Sequence, residues 1–198
     1  MARHAILMAM AFLSLAAARA FADDGADCGD RSAALMTSAP SRVVAACTRL
    51  AEQGDAAGQN RLGVLLSGGQ AMPKDEAKAL EWYRRSAEQG YAPAEFNLAS
   101  ALFFGRGVAP DTAQAIRWYR SAADQGFALA QAVLGSLYRV GLGVPQDYLQ
   151  AYVWFCLAVD RGATEALRVR DETEKLLTAA ELAEARDRVR AWRPASAK

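Results

Sequence analysis

A 36-residue periodicity constrains the fold of this chain more than any other feature of its sequence. Residues of the same type recur at this interval without insertion or deletion. A fixed period of this length is typical of arrays in which each repeat buries its apolar face against the next, so the fold is limited to a repeat architecture. The recurring positions are Gly54, Gly90, Gly126 and Gly162, Trp82, Trp118 and Trp154, Leu62, Leu98 and Leu134, and Asp75, Asp111 and Asp147.

Each repeat contains the pattern of two amphipathic helices, as residues 91–126 illustrate. The first apolar stripe ends at Gly105-Arg106-Gly107, because glycine adopts the left-handed geometry of a helix C-terminus without steric cost. Asp111 then caps the second helix, which Gly126 ends. The two stripes are Ala94, Leu98, Ala101 and Leu102, and Ala115, Trp118, Tyr119 and Ala122. Since neither helix can bury its stripe alone, the pairs must stack, and the periodic tryptophans and leucines are interpreted as structural core.

Two of these repeats carry a recognisable motif. Ala94-Glu95-Phe96-Asn97-Leu98-Ala99 with Gly105-Arg106-Gly107-Val108, and Leu134-Gly135-Ser136-Leu137-Tyr138 with Gly141-Leu142-Gly143-Val144, are similar to the Sel1-like repeat, a relative of the tetratricopeptide repeat. The resemblance covers residues 51–162. It implies an all-α protein, a right-handed α-solenoid of stacked antiparallel helix pairs, with repeats at 55–90, 91–126 and 127–162. The first repeat lacks the second loop glycine, which leaves its hairpin geometry open.

Capping segments are predicted at both ends of the array. Residues 23–54 contain an eroded half repeat, and in an exported protein Cys28 and Cys47 favour a disulfide, although two free thiols in a reducing compartment are the alternative. Residues 163–193 are predicted to form C-terminal capping helices, with a capping box at Thr178 to Glu181. Residues 194–198 are predicted to be a tail. Cys156 is interpreted as a small buried hydrophobe.

The first 22 residues have the pattern of an export signal. A basic start precedes an apolar run from Ala5 to Ala18, and Ala20-Phe21-Ala22 offers a cleavage site after Ala22. An uncleaved anchor is the alternative. Cleavage predicts a periplasmic or secreted protein with no stable membrane insertion. The formal net charge of +1 supplies no basic field for nucleic acid.

The sequence offers little catalytic or metal-binding chemistry. The only histidine, His4, lies in the predicted signal, and no serine is followed three residues later by lysine. We therefore expect no catalytic residues, no metal and no cofactor. Because some secreted Sel1-like proteins have been associated with β-lactams, a cell-wall enzyme, such as a β-lactamase-like or peptidoglycan-acting hydrolase, is the alternative function.

The resemblance implies a function in protein binding. By similarity to tetratricopeptide repeats, the first helix of each pair lines a concave groove that receives a protein or peptide partner, so the chain is predicted to be a non-catalytic adaptor. Phe96 and Phe103 are the predicted anchors, unless both rings pack only into the core; a purely structural spacer is a third possibility. The predicted groove residues are Asn60, Val64, Ser67, Phe96, Ser100, Phe103, Ser136 and Arg139.

Overall fold

The computed structural model describes residue 28, residues 39–69 and residues 71–195. The predicted export signal at 1–22 and the last three residues of the tail lie outside this range. The described residues form nine α-helices and one short 3-10 helix, with no strand among them: α1 Pro40–Glu52, α2 Ala56–Gly68, α3 Glu76–Glu88, α4 Ala92–Phe104, α5 Thr112–Asp124, α6 Ala128–Val140, α7 Tyr148–Asp160, the 3-10 helix Thr164–Ala166, α8 Leu167–Glu174 and α9 Ala179–Ala191. Across these ranges, each helix is too short or too polar to cross a bilayer.

The sequence period appears directly in the helix positions. The first helices of the three pairs, α2, α4 and α6, begin at residues 56, 92 and 128, and the second helices, α3, α5 and α7, at residues 76, 112 and 148. All six helices have 13 residues. The prediction of an all-α protein built from stacked helix pairs is therefore confirmed, and it follows from equivalent residues forming equivalent turns.

The loop within each helix pair closes with the same backbone geometry in each repeat. The first helix ends at a glycine in the left-handed region, with φ of +68° at Gly69 and +71° at Gly105. A carbonyl near the end of that helix then accepts a hydrogen bond from the aspartate amide nine residues later, as in the Leu66–Asp75 (3.0 Å), Leu102–Asp111 (2.9 Å) and Tyr138–Asp147 (2.9 Å) pairs. The first repeat thus forms the same closure with Ala71 in place of a second glycine.

The periodic aspartates cap the second helices as predicted. Each carboxylate Oδ1 accepts a hydrogen bond from the backbone amide three residues later, at 3.0 Å for Asp75, 2.8 Å for Asp111 and 2.8 Å for Asp147. The bond from the Lys78 amide, with the Lys78 side chain beside it, holds the pKa of the Asp75 carboxyl below its usual value. The capping role accounts for these carboxylates without any catalytic function.

One compact unit extends to Trp82 and contains α1, α2 and the first part of α3. The predicted disulfide between Cys28 and Cys47 is confirmed, with the two Cα atoms 4.9 Å apart. It ties the segment around Cys28 to α1, whose buried side chains include Val43 and Ala46. Helix α2 packs against α1, and the Gln59 side-chain amide donates a hydrogen bond to the Ala51 carbonyl at 3.3 Å.

A second compact unit starts at Tyr83 and contains the two following helix pairs and the C-terminal helices. Helix α4 packs against α5, α5 against α6, and α6 against α7. Leu98 and Leu134 are completely buried. The deepest aromatic side chains of α5 and α7 are Tyr119 and Phe155, with 2% and 1% of their surface exposed.

The periodic tryptophans do not share one environment. Trp154 is buried, whereas Trp82 and Trp118 are only half-buried. The expectation that all three are core residues therefore needs correction for the first two. The burial of Trp154 in α7 has a physical reason, because the C-terminal helices α8 and α9 both pack against α7.

The C-terminal helices close the end of the array. The predicted capping box at the start of α9 is confirmed, since the Thr178 and Glu181 side chains each bond the backbone amide of the other. Four apolar residues of this segment lie at helical spacing, and of these Ala185 is buried, whereas Leu182, Val189 and Trp192 are half-buried. The Arg161 guanidinium lies 4.2 Å from the Trp192 ring centre, a cation–π contact that helps to hold the end of α9 on the repeats.

Candidate functional site

A cavity of about 430 Å³ lies on the face that the first helices of the pairs present within the second unit. We call it the inner cavity. Helices α4 and α6 form two of its walls, and Glu165, Ala166 and Val169 of the C-terminal segment form a third. The remaining lining residues are Phe96, Ser100, Phe103, Phe104, Tyr119, Leu129, Ala132, Val133, Ser136, Leu137 and Phe155. A concave, largely apolar surface of this size is typical of a binding site.

The floor of the inner cavity is aromatic. The Phe96 ring centre lies 5.6 Å from that of Tyr119 and 5.4 Å from that of Phe127, in tilted arrangements. The Phe103 ring centre lies 6.4 Å from that of Tyr119. Both phenylalanines are half-buried, so each ring packs on its neighbours and also faces the cavity. The rings therefore line the cavity and also pack on neighbouring aromatic rings, and their role as anchors for a partner stays a prediction.

The hydroxyl groups of the inner cavity bond to each other or to backbone. The Ser100 hydroxyl lies 3.0 Å from the Tyr119 hydroxyl. Burial raises the pKa of the Tyr119 phenol, while the bond to Ser100 acts in the opposite direction. The Ser136 hydroxyl donates to the Ala132 carbonyl at 3.0 Å. These hydroxyls are thus part of the wall, and Tyr119 stays protonated at neutral pH.

Two exposed apolar residues at the rim were not among the predicted groove residues. Phe104 and Leu129 have 62% and 43% of their surface exposed. The sequence contained a signal for Phe104, because the same repeat position holds Val140, which is 61% exposed. A large apolar residue that recurs outside the buried stripe indicates a surface with a role other than core packing.

Arg139, predicted to face the groove, does not line the inner cavity. Its guanidinium lies 3.5 Å from the Glu172 carboxylate of α8, and Arg168 also pairs with Glu172 at 3.3 Å. The Arg139 Nε is buried and has no hydrogen-bond partner in the described part of the chain. The role that the structure gives this arginine is to connect α6 to the C-terminal cap.

The predicted groove residues of the first repeat belong to the other compact unit. Asn60 is buried, with 7% of its surface exposed. Val64 and Ser67 are half-buried, and the Ser67 hydroxyl donates to the Val64 carbonyl at 3.1 Å. These three side chains of α2 therefore offer little exposed surface for contact with a partner.

A second cavity, of about 320 Å³, has a mixed lining that is more polar than that of the inner cavity. Its lining includes Trp118, Asp124 and Glu95, whose carboxylate accepts hydrogen bonds from Ser121 and Gln125, each at 2.9 Å. Burial raises the pKa of the Asp124 carboxyl, and the charge of Arg120 opposes this. The chain passes this cavity after α9, since the Ala195 amide donates to the Asp124 carbonyl at 2.7 Å. The hydrogen bonds of Glu95 join α4 to α5, and the Ala195–Asp124 backbone bond attaches the chain after α9 to the end of α5.

The one free cysteine of the described residues does not have the environment of a nucleophile. Cys156 is half-buried beside Tyr152, and burial raises the pKa of its thiol. A reactive cysteine requires a lowered pKa, because the thiolate is the nucleophile. Within residues 28, 39–69 and 71–195, no three potential ligands from His, Cys, Asp and Glu are grouped in a way that could hold a metal ion.

The fold defines a helix-pair repeat protein, an α-solenoid, and its first helices line an apolar cavity. The Sel1 repeat family model matches residues 56–91, 92–127 and 128–162, more than half of the sequence, and the chain therefore belongs to the Sel1 repeat family. A search of curated proteins gives no match.

Solved structures of similar fold support this assignment. The crystal structure of a protective antigen present in uropathogenic Escherichia coli strains, displaying an SLR fold, aligns with a TM-score of 0.70 and 39% identity over 77% of this chain and 32% of that chain. A Sel1 repeat protein from Oxalobacter formigenes aligns with a TM-score of 0.62 and 33% identity over 68% of this chain and 56% of that chain. The chain thus spans about a third of the first protein and just over half of the second.

Proposed function

We propose that this protein is a non-catalytic interaction scaffold that binds a protein partner in the inner cavity. Sel1 repeat proteins are generally protein-interaction scaffolds. The observation that carries the proposal is the position of two exposed apolar side chains, Phe104 and Leu129, at the rim of a cavity that is itself apolar. Exposing such side chains to water is unfavourable, and exposed apolar patches mark interaction sites.

The same surface offers no chemistry for a reaction. The Tyr119 phenol is protonated and bonded to Ser100, and among the residues that the structure describes Glu165 is the only carboxylate that lines the inner cavity. A hydrolase would need a nucleophile with an adjacent base, or a pair of carboxylates. The lining residues contain neither, which supports a role in binding.

The scaffold is proposed to act after export, in the periplasm or outside the cell. Two observations support this location. The apolar segment Ala5–Ala18 followed by Ala20-Phe21-Ala22 fits a signal peptide. The disulfide between Cys28 and Cys47 fits an oxidising compartment.

The test is affinity capture from the cell envelope of the source organism, followed by binding measurements with the purified candidate partner. Phe104→Ser and Leu129→Ser should each weaken binding by about tenfold, as expected for residues of an interface hot spot. Leu142→Ser is the matched control, because Leu142 is 50% exposed but does not line the cavity.

Circular dichroism and the melting temperature should be nearly unchanged in all three variants, since these side chains are exposed. Equal affinity of wild type and both rim variants for the partner would exclude the inner cavity as the binding site. Turnover of β-lactams or peptidoglycan by the purified protein, lost in a point variant, would contradict the non-catalytic assignment.

A further inference from the structure

The hydrogen-bonding state of the inner cavity constrains what kind of segment can occupy it. Within the described part of the chain, no lining residue carries a side-chain N–H group, since the lining contains no arginine, lysine, asparagine, glutamine, histidine or tryptophan. The Ser136 hydroxyl proton is used by the Ala132 carbonyl, and the Ser100 and Tyr119 hydroxyls share one bond. The walls formed by α4 and α6 are helical, so beyond the first turn of each helix their amides are bonded within the helices.

Binding of an extended peptide in this cavity would have a high desolvation cost. Its backbone N–H and C=O groups would lose water, and the wall has few groups with which to replace it. Each such group left without a partner costs about 1–3 kcal/mol. A helix has no such cost, because its backbone groups are bonded to each other and only side chains face the cavity.

We infer that the partner segment is an amphipathic α-helix that inserts two or three large apolar side chains into the inner cavity. This inference rests on the proposed function and specifies its partner. The expected stripe has apolar residues at i, i+3 or i+4, and i+7, the spacing with which helices fill apolar grooves. Phe104 and Leu129, exposed at the rim, are the side chains that the stripe covers first.

Charges near the cavity add a second requirement on the partner helix. Arg106 lies over the Phe104 ring, with its guanidinium carbon 5.2 Å from the ring centre, and is exposed. Glu165 lines the cavity and is also exposed. Neither side chain forms an ion pair with another described residue. The partner helix should therefore carry an acidic residue where it meets Arg106 and a basic residue where it meets Glu165.

The experiment selects binders from a display library of random linear peptides of about 15 residues, roughly four helical turns. The purified protein is the target, and the selected peptides are counter-screened against Phe104→Ser and Leu129→Ser, with Leu142→Ser as control. An alanine scan of each peptide that depends on the rim then shows which of its residues contact the cavity. In parallel, the apolar dye 1-anilinonaphthalene-8-sulfonate is titrated into the same four proteins.

The expected result is a scan in which losses of about tenfold recur every three or four residues, as for a helix. Charge reversal at Arg106 (Arg106→Glu) should weaken the same peptides and be rescued by reversing one acidic peptide residue. Losses at every second residue would indicate an extended peptide, which overturns the helix while leaving the proposed function intact. If no peptide depends on the rim, whether or not the dye binds there, both the helix and the proposed binding function of the cavity are overturned.

Discussion

The contact between Gly135 and Phe155 provides a sharp test of how closely the repeats pack. Gly135 lies in the middle of α6, and a Cβ atom added to it would lie 2.7 Å from two ring carbons of Phe155 and 3.0 Å from a third. Carbon atoms in contact normally lie about 3.5–4.0 Å apart. The Phe155 ring has 1% of its surface exposed and packs on Ala151, Ala158 and Ala166. The substitution Gly135→Ala therefore forces the ring or the helix to move.

Two effects of opposite sign determine the result. Alanine in place of glycine inside a helix is favourable by about 1 kcal/mol. Overpacking a core typically costs about 1–3 kcal/mol. Because Ala151, Ala158 and Ala166 already pack against the ring and leave it 1% exposed, we expect the packing cost to exceed the helix gain. The free energy of unfolding of Gly135→Ala should fall by about 1 kcal/mol.

Urea denaturation followed by circular dichroism measures this change. Gly68→Ala is the matched control, because Gly68 also lies in a helix but an added Cβ would meet no atom within 4 Å. That variant should be stabilised by up to about 1 kcal/mol. In the double variant Gly135→Ala with Phe155→Leu, the change in the free energy of unfolding should differ from the sum of the changes in the two single variants by about 1 kcal/mol. An increase in stability of Gly135→Ala over wild type would refute the packing argument.

Two further predictions concern the disulfide and a buried phenol. Reduction of the Cys28–Cys47 disulfide, which joins residues 19 apart, should lower the free energy of unfolding by about 3 kcal/mol. Urea denaturation midpoints with and without dithiothreitol measure this change. The Cys28→Ala, Cys47→Ala double variant is the control, and its midpoint should not respond to the reductant. Burial, together with Cys156 and Glu174, raises the pKa of Tyr152 to about 12 from its usual 10.0. Because the folded state then holds the proton more tightly than the unfolded chain, Tyr152 contributes stability below pH 10 that is lost as the pH rises towards 12. A tyrosinate absorbance titration should show a group titrating near pH 12 that is absent in Tyr152→Phe, and its persistence in that variant would contradict the assignment.

The repeat period was sufficient to predict the helix pairs and their turns. Glycine and aspartate act locally: a left-handed residue ends a helix, and a carboxylate caps the next one within three residues. Asp111 and Gly105 therefore have the roles that their sequence neighbours imply. The first repeat shows the limit of this reasoning, since the sequence did not reveal that Gly69 alone would preserve the loop.

The composition of the candidate site was only partly predictable. Phe96, Ser100, Phe103 and Ser136 line the inner cavity, and the resemblance to a repeat family had already placed them on its inner face. The rim residue Phe104 was missed, because a helix position one residue away from a predicted groove residue can face either solvent or core. Arg139 was expected in the groove, but Glu172, 33 residues later, pairs with it instead.

From the sequence alone, the class of fold and the turns that end and begin the helices could be predicted. These depend on hydrogen bonds and apolar stripes that span at most one repeat, and the 36-residue period copies them along the chain. Three features could be seen only in the folded chain: which of the periodic tryptophans is buried, the ion pair between Arg139 and Glu172, and the apolar cavity lined by α4, α6 and the C-terminal segment. Each of them depends on side chains from elements distant in sequence that meet in space, and the repeat pattern does not contain that information.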